Sequence, residues 1–311
     1  MSLLLSRSSA LLLSATLSAG LGLARPALAA GPVHAVGIEN EYADVIAQIG
    51  GPYVSTSSVM SDPNTDPHTF EVSPRIGGEM AQAQLVVENG LGYDDWADKM
   101  LKAAPNKTRI VINVQKLRGL PESTPNPHLW YDPATMPAVA KAVATALGKL
   151  DPVHAATFDA NEKTFEASLQ PWFKALAAFK AAHPNTPVAV TEPVGDYMLQ
   201  AAGARIVTPF ALEAAIMNDT DPAPQDVAAQ NALFNKKEVK VLVYNQQVTD
   251  PLTNSFLELA RKNGIPVVGV YETMPEPGYH YQSWMMAELK ALKSAVDDGT
   301  STESLIKKPA N

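Results

Sequence analysis

Short runs of β-branched and other apolar residues alternate along the chain with longer stretches whose apolar positions recur every three or four residues. The runs predict strands over residues 34–38, 53–59, 84–88 and 109–114 in the first half, and over 188–191, 205–207, 239–244 and 266–271 in the second. The stretches predict helices over 41–49, 73–82, 93–103 and 134–147, then 194–202, 224–235, 251–262 and 281–295. Strand and helix in alternation read as βα units, hence an α/β fold with mainly parallel sheets. Between the halves, residues 152–182 carry Phe165, Leu169, Trp172, Phe173, Leu176 and Phe179 at helical spacing. That pattern fits an amphipathic helix packed on one half as well as a connector between two halves. Pro171 removes a backbone N–H inside it and predicts a bend or break at 168–170.

The first 30 residues read as an export signal: Arg7, an apolar stretch over 10–23, then Ala27-Leu28-Ala29 with cleavage expected after Ala29 or Ala30. A membrane anchor fits less well, because Ser14, Ser18, Gly20 and Gly22 interrupt the stretch and Pro26 follows it. The sequence contains no cysteine, which excludes disulfides, thiolate metal ligands and a lipidated cysteine at the cleavage point. The expectation is a soluble periplasmic protein. The formal charge is −8, and removal of Arg7 and Arg25 makes the remainder more acidic still, so nucleic acid is excluded as a partner. Residues 297–311, rich in Ser, Thr, Asp and Lys, are expected to form a disordered tail.

Three short motifs carry candidate chemistry. Asp66-Pro67-His68 and Asn126-Pro127-His128-Leu129-Trp130 each place a histidine directly after proline, and Thr191-Glu192-Pro193 places a carboxylate directly before one. Imidazole nitrogen and carboxylate oxygen are the usual protein ligands of first-row divalent ions. The prolines stiffen the ligand-bearing turns, so less conformational entropy is lost on binding. Singly, each histidine run reads more readily as a surface turn than as a metal ligand. Asp66, Asn126 and Asp132 are candidates to orient the histidine rings, or to cap turns. Trp130 and Tyr131 are expected to wall the cleft or fill the core. His34, His154 and His183 are expected at the surface, and His280 is the one other histidine that could approach the site.

Taken together, and with Thr69-Phe70-Glu71 and Tyr131-Asp132-Pro133 around them, these motifs resemble the metal-binding receptors of bacterial ABC importers, the ZnuA-like and TroA-like family. The resemblance runs from about 36 to about 292. It implies an N-terminal lobe over 31–151, a connecting helix over 152–183 and a C-terminal lobe over 184–296. It also implies a four-ligand set of His68, His128, Glu192 and Glu272, with the nearby Glu276 as a competitor for the fourth place. The cargo would be one Mn2+ or Zn2+ ion, with no catalytic cofactor and no enzymatic activity. The protein would be a monomer that delivers the ion to a membrane permease driven by a cytoplasmic ATPase. Residues 116–125 lack the histidines that many zinc receptors of the family carry there, which tips the expected cargo slightly to Mn2+. A zinc hydrolase is the rival from another class, yet no His-x-x-x-His or His-Glu-x-x-His spacing occurs. A receptor for a chelated metal, a metallochaperone or an adhesin would share the same architecture.

Overall fold

A computed structural model describes residues 31–64, 67, 70, 72–275 and 277–306. The expected export signal therefore lies outside the described residues, as do Asp66, His68, Glu71 and Glu276. Eight strands form among the described residues: β1 (Val33–Glu39), β2 (Val54–Met60), β3 (Leu85–Glu88), β4 (Ile110–Asn113), β5 (Pro187–Val190), β6 (Arg205–Ile206), β7 (Val241–Asn245) and β8 (Val267–Val270). They pair in two four-stranded sheets, ordered β2-β1-β3-β4 and β6-β5-β7-β8, and every pair is parallel. The inner strands β3 and β7 and the edge strand β8 are buried along their whole length, as parallel strands covered on both faces must be.

Side-chain alternation distributes these strands between cores. Val33, Ala35, Leu85, Val87 and Ile112 of the first sheet share one hydrophobic core with Val188, Val190, Val241, Val243, Val268 and Val270 of the second. Their sequence neighbours face outward into two smaller cores. Val36, Ile38 and Val86 pack with Ile76, Met80, Ala97 and Leu101 from the helices Pro74–Gln82 and Asp95–Ala103. Ala189, Leu242 and Val267 pack with Leu212, Phe234 and Phe256 from the helices Phe210–Met217, Pro224–Asn235 and Pro251–Lys262. The two lobes thus share their largest core.

A single 28-residue helix, Ala155–Ala182, joins the lobes and spans about 42 Å at 1.5 Å per residue. It buries Phe158, Phe165, Leu169, Trp172, Leu176 and Phe179 in the shared core, beside the last helix, Tyr281–Asp298. It is continuous through Pro171, so no break occurs there. Ser168 Oγ donates to Phe165 O at 2.6 Å just before the proline. Two further corrections concern the ends of elements. Phe210–Met217 forms a helix that is not among the expected ones. Residues 299–306 are not disordered but strap the open edge of β8: Gly269 N donates to Thr302 O and Thr302 N to Val267 O, both at 2.9 Å. An exposed parallel edge leaves backbone groups without partners, and this segment supplies them. Residues 307–311 lie outside the described residues.

One hydroxyl ties the lobes together in the core. Tyr131 Oη donates to Tyr271 O at 2.9 Å, accepts from Tyr271 N at 3.3 Å and lies 3.4 Å from Glu288 Oε1, which also accepts from Trp284 Nε1. Asn40 adds a reciprocal pair, Nδ2 to Met274 O and Oδ1 from Met274 N, each at 2.8 Å.

Two outcomes are expected from this packing. A Cβ at position 269 would stand 2.3 Å from Glu303 O, so Gly269→Ala should displace the strap, cost about 1–3 kcal/mol in urea unfolding and speed proteolysis of the C-terminus; an unchanged midpoint would refute the strap's role. Burial raises the Glu288 carboxyl to about 8, so the folded state holds a proton that the unfolded chain gives up near pH 4. That contribution to stability is complete below pH 4 and is lost as pH rises to about 8. Glu288→Gln should therefore become more stable relative to the parent between pH 5 and 9, by on the order of 3 kcal/mol in chemical denaturation; parallel pH profiles would contradict this.

Candidate metal site

Parallel strands bring their carboxyl ends to one side of a sheet, and ligands of open α/β folds bind in the crevice there. Thr191-Glu192 follows β5, Asn245 ends β7, Tyr271-Glu272 follows β8, and Asn89 to Tyr93 follow β3. The loop after β4 carries Asn126-Pro127-His128, which leads into a short 3-10 turn, Leu129–Tyr131. The expected placement of Trp130 and Tyr131 holds, since both are wholly buried.

His128 is fully buried, and its Nε2 stands 3.3 Å from Glu272 Oε2. Asn126 determines which of its nitrogens carries a proton. The Asn126 Nδ2 amide donates to Pro193 O at 2.7 Å, which turns Oδ1 toward His128, where it accepts from the backbone N at 3.0 Å and faces ring Nδ1 at 2.8 Å. An oxygen in that position requires Nδ1–H, so a neutral imidazole presents its Nε2 lone pair to the carboxylate. Two acceptors at 3.3 Å need a proton or a cation between them.

Glu272 is held just as firmly. Asn245 Nδ2 donates to its Oε1 at 2.6 Å and Tyr93 Oη to its Oε2 at 2.8 Å, while its backbone N donates to Gln247 Oε1 at 2.7 Å. Burial and the carboxylates of Glu272, Glu39 and Glu41 push the Tyr93 phenol well above its usual range, so it remains a donor. The same Asn245 amide lies 3.4 Å from Glu192 Oε2, and Glu192 is 3 % exposed. The structure thus brings His128, Glu192 and Glu272 to one buried place, with Glu192 joined through Asn245. Among the described residues, no three His, Asp or Glu side chains stand close enough to form a ready-made metal cluster. His68 lies outside the described residues; Pro67 and Phe70 beside it line a cavity of about 210 Å3 with Thr273, the neighbour of Glu272.

The remaining candidates divide. Asn126 orients His128 as anticipated. Asp132 does not: it pairs with Arg118 at 2.9 Å and accepts from Ala134 N in a turn. His280 is largely exposed and bonds Asp44 at 2.7 Å, away from the crevice. His154 pairs with Asp151 and His183 with Asp297. Tyr93, Asn245 and Gln247 were not singled out by the sequence. The polar run Asn245-Gln246-Gln247 at the end of an apolar strand was the available signal.

Residues 39–295 match the family model described as zinc-uptake complex component A, periplasmic. The chain is 22% identical over 234 residues to the manganese-binding lipoprotein MntA of Bacillus subtilis, an alignment covering 72% of this chain and 74% of that one. Its fold is similar to that of the periplasmic zinc binding protein TroA of Treponema pallidum, with a TM-score of 0.71 at 17% identity over 86% of this chain and 99% of the other. The substrate-binding protein FpvC of Pseudomonas aeruginosa in complex with Mn2+ gives the same TM-score at 18% identity, over 86% and 99% of the two chains.

The hydrogen bonds around Asn126 make it the test of the imidazole's orientation. Asn126→Leu should lower divalent-metal affinity about 10–100-fold in competition with a chromophoric chelator. Affinity equal to that of the parent would show that the amide does not hold the ring.

Proposed function

Since the chain belongs to the family of the periplasmic component A of zinc-uptake complexes, we propose that it captures a divalent transition-metal ion, Zn2+ or Mn2+, in the periplasm and delivers it to a membrane permease powered by a cytoplasmic ATPase. The observation that carries this reading is the facing pair of His128 Nε2 and Glu272 Oε2, a ring nitrogen and a carboxylate oxygen 3.3 Å apart and buried together. The donor set fits the cargo, because imidazole nitrogen and carboxylate oxygen suit both ions and the chain offers no thiolate. His68, His128, Glu192 and Glu272 would be the ligands, two from each lobe. Two neutral imidazoles and two carboxylates would balance the charge of a dication.

The same features support capture as the role of the site. His128, Glu192 and Glu272 are buried, and Asn126, Asn245, Tyr93 and Gln247 hold them, so little of this part reorganises when the ion arrives. The shared core and the connecting helix resist large lobe movement, so release would depend on the permease disturbing a ligand loop. The export-signal pattern of the first 30 residues and the absence of a cysteine for lipidation support a soluble periplasmic form. No helix among the described residues is long and apolar enough to cross a membrane.

Metal analysis of protein purified from its own compartment tests the reading. The parent should hold about one ion per chain, and His128→Ala and Glu192→Ala should lose it, with retention in both variants contradicting the site. Affinity should also fall as pH drops, because protons compete for the imidazole and carboxylate donors.

A further inference from the structure

The edge strands β8 and β4 are finished differently. The strap of 299–306 covers β8, whereas β4, last in the order β2-β1-β3-β4, has a partner strand on one side only among the described residues. Ile110 N donates to Gln84 O at 2.8 Å, so alternation along the strand turns the N–H and C=O of Val111 and Asn113 away from β3. Those groups can still pair with an added strand. Lysine, proline and bulges commonly blunt an open edge, and Ile110–Asn113 contains none of them. Arg109 fixes the start of the strand, since its guanidinium donates to the carbonyls of Met80, Ala83 and Ala104 at 2.8–3.0 Å.

Apolar surface adjoins this edge. Val111, 42 % exposed, lies with Leu101, Pro105 and the 40 % exposed Leu117 along a groove of about 790 Å3. A second hollow of about 330 Å3, lined by Ile110, Ala138 and Ala146, continues it, because Ile112, Leu117 and Ala142 border both. Ala138, Ala142 and Ala146 recur every fourth residue on the helix Thr135–Leu150, and their short side chains admit close approach of another backbone. Five exposed lysines, Lys102, Lys107, Lys116, Lys141 and Lys149, rim the two hollows in a chain of formal charge −8. The acids beside them are already engaged: Asp98 pairs with Lys102 at 3.6 Å, and Glu88 accepts from Asn113 Nδ2 at 2.9 Å.

We propose that β4 accepts an extended acidic segment of a partner protein as a fifth strand of its sheet. The segment's backbone pairs with Val111 and Asn113, its small apolar side chains rest on the two hollows, and its carboxylates meet the lysines. The lysines decide the occupant. A second copy of this chain would bring the same five cations against one another, whereas an acidic strand complements them. No metal ligand takes part, so this interface stands whether or not the crevice binds an ion.

Fluorescence anisotropy with the peptide fluorescein-Asp-Glu-Val-Ala-Val-Glu-Asp-amide at low ionic strength tests this interface. The parent should bind the peptide saturably. Val111→Pro removes only an outward N–H and should weaken binding about tenfold, as should Lys107→Glu combined with Lys116→Glu. The same peptide N-methylated at both valines and the alanine keeps its charge but cannot pair as a strand, and it should fail to bind the parent. That comparison needs no variant to fold. Equal binding of the two peptides would show charge attraction alone and overturn the proposal. Unchanged affinity in Val111→Pro, or no saturable binding by the parent, would do the same. A dimer of the parent in light scattering that Val111→Pro dissolves would give the edge to a second copy instead, and would also overturn it.

Discussion

A lone pair on imidazole nitrogen facing a carboxylate oxygen inside a protein is unfavourable unless something positive lies between them. Every feature around His128 and Glu272 maintains that arrangement. Asn126 keeps the proton on the far nitrogen of the ring, Tyr93 and Asn245 hold the carboxylate, and Gln247 holds the backbone behind it. Burial keeps water from relieving the contact, since both side chains are fully enclosed. The polar network therefore favours a positive charge, a proton or a cation, between the two groups.

The fold keeps this geometry by joining the two halves. Asn126 reaches from one lobe to Pro193 in the other, Tyr197 Oη returns to Asn126 O at 2.9 Å, and Tyr131 bonds the strand end that precedes Glu272. Each of these bonds links a segment bearing one candidate ligand to a segment bearing another. Beneath them the two sheets share one hydrophobic core through the long helix, so relative movement of the lobes would break packing as well as hydrogen bonds. Pre-arrangement of this kind favours tight capture at the expense of easy release.

Most of the architecture was legible because each sheet strand has a simple signature. Apolar runs such as Leu85 to Val87 and Val241 to Val243 admit no other reading, and the helices at 224–235 and 251–262 open on proline and close within a residue of the expected ends. The helix Phe210–Met217 escaped notice because it is short and apolar nearly all round, which hides its period. The strap at 299–306 was unreadable for a different reason: it contributes backbone hydrogen bonds, and a Ser- and Thr-rich composition says nothing about where those go. At the site, His128 and Glu192 stood out because proline flanks each, whereas Glu272 came only from the family resemblance. Asn245 and Tyr93 act through partners 27 and 179 residues away, and one sequence does not reveal such pairings.

Anomalous diffraction from crystals soaked with zinc tests the central claim most directly. A single peak is predicted in the crevice, about 2.0–2.2 Å from His128 Nε2 and from one oxygen each of Glu192 and Glu272. A peak elsewhere, or none after soaking at saturating zinc, would contradict the account.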